Sequence, residues 1–144
     1  MQYTFEQRHY CVIGSGLTGM SCIAYLLRQG ATVSVFDTRS NPSNLAALNA
    51  MNVAAVYLQN WDQLPLDGFD YVVASPGVAL PTDFINSCAS KSLQILSDID
   101  LFDDFFFNAS YNLEDVFLVL KGCIHCLCWM YHWIHEQDDE NDDD

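Results

Sequence analysis

The sequence predicts an α/β fold, a Rossmann-like parallel sheet of about five strands with helices on both faces. Three observations carry this expectation. Short apolar runs alternate with segments of helical period across short connections, the pattern that builds a parallel sheet covered on both sides. The first apolar run passes through Gly14-Ser15-Gly16-Leu17-Thr18-Gly19 into a helical segment, which is strand, glycine turn and helix in G-x-G-x-x-G spacing. Two further polar clusters, Asp37-Thr38-Arg39 and Ser75-Pro76-Gly77, follow apolar runs at their carboxyl ends.

Residues 1–8 read as a frayed start. Residues 10–14 form a continuous apolar run, as expected for a strand buried on both faces. A helix over residues 20–29 follows, with Met20, Ile23, Ala24 and Leu27 at i, i+3, i+4 and i+7. Arg28 in its last turn and Gly30 just beyond are sound C-terminal chemistry. Residues 31–36 (A-T-V-S-V-F) are a second strand rich in β-branched side chains. Ser40-Asn41-Pro42-Ser43-Asn44 reads as a turn, 45–51 as a short helix and 53–57 as a third strand. Residues 61–68 are a loop broken by Pro65 and Gly68, and 70–74 are a fourth strand. Pro81 and Thr82 open a helix reaching residue 90, and 93–96 are a fifth strand. Ser97-Asp98-Ile99-Asp100 has the S-x-x-D form of a capping box and opens a helix through Leu101, Phe102, Phe105 and Phe106.

These elements define a Rossmann-like domain over residues 1–107. Residues 108–135 change character: residues 116–120 read as a sixth strand, followed by a stretch dense in Cys, His and aromatics with neither a two-residue nor a helical period. Residues 136–144 are an acidic tail, expected to be solvated. That tail holds seven acids, half of the formal net charge of −14. With only Arg8, Arg28, Arg39, Lys91 and Lys121 as fixed cations, binding to DNA or RNA is not expected. Residues 1–8 are polar and give no export signal, and Cys11, Cys22 and Cys88 fall in apolar patterns where cysteine acts as a small buried hydrophobe. A reducing cytoplasm is the expected compartment.

In an open parallel sheet ligands bind outside the carboxyl ends of the strands, so the three polar clusters converge on one crevice. The glycine turn brings backbone close to a ligand, and the helix N-terminus offers N–H groups and partial positive charge to a phosphate. Asp37 can accept hydrogen bonds from a ribose or base, and Arg39 can stack on a flat base or pair with a phosphate. Ser75 and Gly77 can offer a hydroxyl and an approachable backbone. Gly14, Ser15, Gly16, Leu17, Thr18, Gly19, Asp37, Thr38, Arg39, Ser75, Pro76 and Gly77 are therefore the candidate site residues. No catalytic or metal-binding residue is expected. Asp37 lies 18 residues after Gly19, near the spacing of a ribose-binding acid, so an NAD(P)-binding oxidoreductase fragment is the rival reading.

Four blocks in order carry a resemblance: Val12-Ile13-Gly14-Ser15-Gly16-Leu17-Thr18-Gly19-Met20-Ser21-Cys22, Asp37-Thr38-Arg39, Val73-Ala74-Ser75-Pro76-Gly77-Val78 and Asp98-Ile99-Asp100-Leu101-Phe102. Through them residues 11–102 resemble the N-terminal domain of the UDP-N-acetylmuramoyl-L-alanine:D-glutamate ligases, Mur ligases of peptidoglycan synthesis. The resemblance implies a domain that binds the UDP part of UDP-N-acetylmuramoyl-L-alanine, with Leu17, Thr18, Asp37, Thr38, Arg39 and Gly77 lining the site. It also implies ATP and Mg²⁺ in the complete family, held by a P-loop ATPase domain. No G-x-x-x-x-G-K-S/T motif occurs in this sequence, so no ATP or other cofactor is expected on this chain. The chain alone is expected to be inactive, either a truncated ligase or a stand-alone or split-enzyme nucleotide-binding module working with ligase domains in trans.

The remaining residues admit sharper readings and plainer ones. Cys123, Cys126 and Cys128 with His125, His132 and His135 offer sulfur and nitrogen ligands to zinc, but lack a second C-x-x-C pair, and an apolar tail rich in these residues is the reading taken. Residues 116–134 are long enough to cross a bilayer as a helix but carry Lys121 and two histidines, so a membrane anchor is not expected. The Phe102, Phe105, Phe106, Phe107 cluster reads as core, and His9, ahead of the first strand, carries no signal.

Overall fold

The computed structural model describes residues 5–75 and 77–101. The expectations for residues 108–144, the zinc and membrane readings and the Phe102–Phe107 cluster lie outside them. Five strands form one parallel sheet: β1 (His9–Ile13), β2 (Thr32–Asp37), β3 (Ala55–Leu58), β4 (Tyr71–Ala74) and β5 (Gln94–Ser97). The helices are α1 (Leu17–Arg28), α2 (Leu45–Ala50) and α3 (Thr82–Ser90), and the backbone is helical again over residues 98–101. The strand order is β3-β2-β1-β4-β5. The chain therefore leaves β1 toward one edge and β4 toward the other, and the order reverses at the β1–β4 seam.

The apolar runs explain the layers. In β1, Tyr10 and Val12 join one core with Val33 and Val35 of β2, Val73 of β4, Ile23 and Leu26 of α1 and Leu48 of α2. Cys11 and Ile13 join the opposite core with Phe36, Val72, Leu64 and the α3 residues Phe84 and Cys88. Alternate residues of one strand thus feed two cores, which is why β1 and β2 read as continuous apolar runs. Each fully buried Val, Leu, Ile or Phe side chain contributes about 1.5–3 kcal/mol. Burial, with the neighbouring Cys88 thiol adding to it, pushes the Cys11 thiol up to about 12, so it packs as a neutral hydrophobe.

Several boundaries differ from the sequence expectation, each for a physical reason. Helix α1 begins at Leu17, three residues early, because the end of the glycine motif is its first turn. It closes as expected: Gly30 has φ +86°, Ala31 N–H donates to Leu26 O at 3.1 Å and Gly30 N–H to Leu27 O at 3.2 Å, a Schellman closure. Strand β3 starts at Ala55, two residues late, because its ladder opposes Ser34–Asp37 of β2. The expected loop at residues 61–68 holds two 3-10 turns, Trp61–Gln63 and Leu66–Gly68. Trp61 packs on Phe36 at 4.3 Å and on Phe84 at 4.7 Å between ring centroids, so this connection covers the sheet without an α-helix.

The capping box forms reciprocally. Asp100 N–H donates to Ser97 Oγ at 3.1 Å, and Ser97 N–H donates to Asp100 Oδ2 at 2.9 Å. His9 belongs to β1 rather than preceding it. Its Nε2 lies 2.7 Å from Ser34 Oγ and its ring stands edge-on to Phe69, so it satisfies a buried hydroxyl in the middle of β2.

Candidate functional site

Register levels the carboxyl ends that matter. Ile13 pairs with Phe36 on one side and with Ala74 on the other, so the segments leaving β1, β2 and β4 emerge side by side at the reversal point. Between them lies a cavity of about 310 Å³. Its wall is made by the glycine turn, Asp37, Thr38 and Arg39, Ser75 and Gly77, with Ile13 and Val78 closing it. Every candidate residue is there except Pro76, which lies outside the described residues.

The glycines do three different jobs. Gly14 has φ +96°, a conformation that a side chain would strain, and a Cβ there would sit 3.0 Å from Val78 Cγ2. A Cβ on Gly19 would meet Gly14 O at 2.0 Å, so the third glycine lets α1 pack against the end of β1. A Cβ on Gly16 would meet nothing within 4 Å. Gly16 lines the cavity, and its missing side chain leaves the backbone there uncovered.

Helix α1 points its N-terminus at this space. Its N-cap, Gly16, supplies no side-chain cap, and no acid stands in its first turn. The first intrahelical bond runs from Met20 N–H to Gly16 O at 2.9 Å, so the amides ahead of it face the cavity side. Thr18 lines the cavity, is only 4 % exposed, and its Oγ1 has no hydrogen-bond partner among the described residues. A buried hydroxyl without a partner is uncommon and costly.

Asp37 is the opposite case. It ends β2, is 3 % exposed and has five donors. Oδ2 accepts from Ser15 N–H at 3.0 Å, from Ser15 Oγ–H at 2.6 Å and from Arg39 Nη2 at 2.9 Å. Oδ1 accepts from Arg39 N–H at 3.0 Å and Arg39 Nε at 2.9 Å. Burial alone would push this carboxyl up; the bonds from Arg39 and Ser15 outweigh it and hold it well below the usual carboxylate range. Ser15 is held in turn, its carbonyl accepting from Asn44 Nδ2 at 2.7 Å.

The N-terminal-domain model described as "Mur ligase MurD-like, N-terminal domain" matches residues 8–97, most of the chain. This chain belongs to the MurD-like N-terminal domain family. Among its relatives are UDP-N-acetylmuramoylalanine--D-glutamate ligases of Marinobacter nauticus, 36% identical over 105 residues, and of Salmonella choleraesuis, 37% identical over 98. A Haemophilus influenzae ligase of the same name is 35% identical over 98 residues. These alignments take in 72%, 68% and 68% of this chain but 24%, 22% and 22% of the relatives, so the chain spans about a quarter of their length. Among solved structures, L-tryptophan dehydrogenase from Nostoc punctiforme aligns at a TM-score of 0.46 and 14% identity, over 83% of this chain and 43% of that one.

In this MurD-like domain the lining carries no thiol, imidazole or amine, and no group of three or more potential metal ligands occurs among the described residues. Asp37, expected from the sequence to accept from a ligand, meets the five protein donors just named in this structure. Asn44 was missed altogether. Its place before a short helix signals an N-cap, yet its side chain makes no cap and is spent on Ser15.

Proposed function

We propose that this MurD-like domain binds the UDP part of UDP-N-acetylmuramoyl-L-alanine in the cavity at the β1–β4 seam, as the substrate-holding portion of a D-glutamate-adding ligase. The observation that carries the reading is Thr18: a buried hydroxyl with no partner among the described residues, in the first turn of a helix whose N-cap, Gly16, has no side chain to fill the space beside it. A diphosphate supplies the acceptors that Thr18 Oγ1 and the first-turn amides want. Ser75 and the exposed Gly77 form the facing wall. Arg39 supplies a planar guanidinium at the outer edge.

The complete reaction in the family is ATP-driven acyl-phosphate formation followed by amide formation. In this reading the chain does neither alone, and ligase domains supplied in trans would provide that chemistry. Its compartment is the reducing cytoplasm, consistent with free thiols at Cys11, Cys22 and Cys88. The dinucleotide reading needs a carboxylate free to take a ribose hydroxyl at the end of β2, and Asp37 is already fully bonded.

Calorimetric titration with UDP, UDP-N-acetylmuramoyl-L-alanine and NADP tests the proposal. The muramoyl nucleotide should bind tightest, and Arg39→Ala should weaken it. Preference for NADP, or no nucleotide binding, would sink the reading.

A further inference from the structure

We infer that Ser15 and Asn44 are positioning residues that set the Arg39 guanidinium as a rigid plate for the base of the bound nucleotide. The inference takes its ligand from the nucleotide reading above, but its geometry stands apart from that reading.

An arginine side chain that is 51% exposed ordinarily samples many rotamers. Here Nε and Nη2 each donate to a different oxygen of Asp37, both at 2.9 Å, and the backbone N–H of Arg39 donates to the same carboxylate at 3.0 Å. That is a bidentate fork, which fixes the plane of the guanidinium as well as its position. It leaves Nη1 and the faces of the group for a ligand. A carboxylate at the same site also offsets most of the arginine charge. Arg39 is then better suited to stacking on a neutral, flat base than to capturing a phosphate, which has the α1 N-terminus instead.

The fork is only as rigid as Asp37. The backbone of Asp37 is anchored in β2, where its carbonyl also accepts from Gln59 N–H at 2.8 Å. The orientation of its carboxylate is set by Ser15, which donates to Oδ2 through both N–H and Oγ–H. Ser15 sits between two glycines, where backbone preference alone holds the turn poorly. Asn44 supplies the missing restraint by donating Nδ2 to Ser15 O. It does so at the N-cap position of α2, whose end is left without a side-chain cap. Giving up a favoured local bond for one to a residue 29 positions away is the mark of a side chain spent on the site. A relay of hydrogen bonds thus runs from α2 through the glycine turn and the end of β2 to Arg39.

The test uses the full 144-residue chain with Ser15→Ala, Ser15→Thr, Asn44→Ala, Arg39→Ala and the Ser15→Ala/Arg39→Ala pair. The Arg39 Nε–Hε signal in ¹⁵N NMR should be sharp and slow to exchange in the wild type and in Ser15→Thr. In Ser15→Ala and Asn44→Ala it should move toward the free-arginine position and exchange fast. By calorimetry, Ser15→Ala should weaken UDP about five- to tenfold, as for one lost hydrogen bond, while inorganic pyrophosphate binds unchanged. On the Arg39→Ala background the same change should cost less than about twofold, since the two act through one path. Retention of the protected Nε–H signal in both Ser15→Ala and Asn44→Ala would overturn the relay, as would UDP losses that multiply in the double variant. A wild-type chain that ignores UDP would end the nucleotide reading instead, and the NMR signal would still decide whether the relay exists.

Discussion

Thr18 and Asp37 are both buried polar residues in the cavity wall, and they differ in what their polar atoms already hold. Thr18 Oγ1 holds nothing among the described residues, so replacing it should cost the fold little. Thr18→Val is expected to change the unfolding free energy by no more than a neutral surface change, about 0.5 kcal/mol, and to weaken UDP binding about three- to tenfold in calorimetry. Asp37 holds five donors, and Asp37→Ala strands the Ser15 donors in a buried place at a cost of about 1–3 kcal/mol. Its acid behaviour follows from the same bonds. The ordinary carboxyl value is 3.8 and the folded value lies well below it, so on acidification the unfolded chain takes up the proton first. The stability from Asp37 is complete above 3.8 and drains away as pH falls beneath it toward the folded value. Asp37→Asn should therefore be less stable than wild type at neutral pH, yet lose less stability between roughly pH 4 and pH 2, as seen in melting temperature against pH.

At the scale of elements, the glycine turn separates folding from binding at two positions three residues apart. Gly19→Ala drives a methyl into Gly14 O and should cost about 1–3 kcal/mol or more, read as a lower denaturation midpoint. Gly16→Ala meets no atom within 4 Å and should leave that midpoint unchanged while obstructing the nucleotide. Equal destabilisation by the two changes would contradict this division. The turn itself was legible in the sequence because glycine spacing between a strand and a helix has few physical meanings. The strands were legible because runs such as Tyr10-Cys11-Val12-Ile13 must be buried on both faces. Their ends were not: β3 begins where Ser34 gives Ala55 a ladder partner, and no local propensity contains that information. Nor could propensity show that Trp61, in a segment broken by Pro65 and Gly68, would stack on Phe36 and Phe84 and do the covering work of a helix.

On the scale of the whole molecule, the convergence of three loops was legible, because parallel topology alone puts every strand's carboxyl end on one rim. The chemistry within the rim was only half legible. That Asp37 ends β2 on this rim was legible, but its bonding depends on Ser15, 22 positions away, folding alongside it. The β1–β4 seam has a consequence for how the molecule is made. Residues that bond across it, such as His9 and Asp70, are 61 positions apart, so the central pairing closes a long loop of chain and forms late. During synthesis β1, α1 and β2 can assemble well before β4 leaves the ribosome. Until it does, the cavity lacks its Ser75–Gly77 wall. A nucleotide bound across all three loops, as proposed above, would therefore not assist the early steps; it would act as a latch on a seam that has already closed.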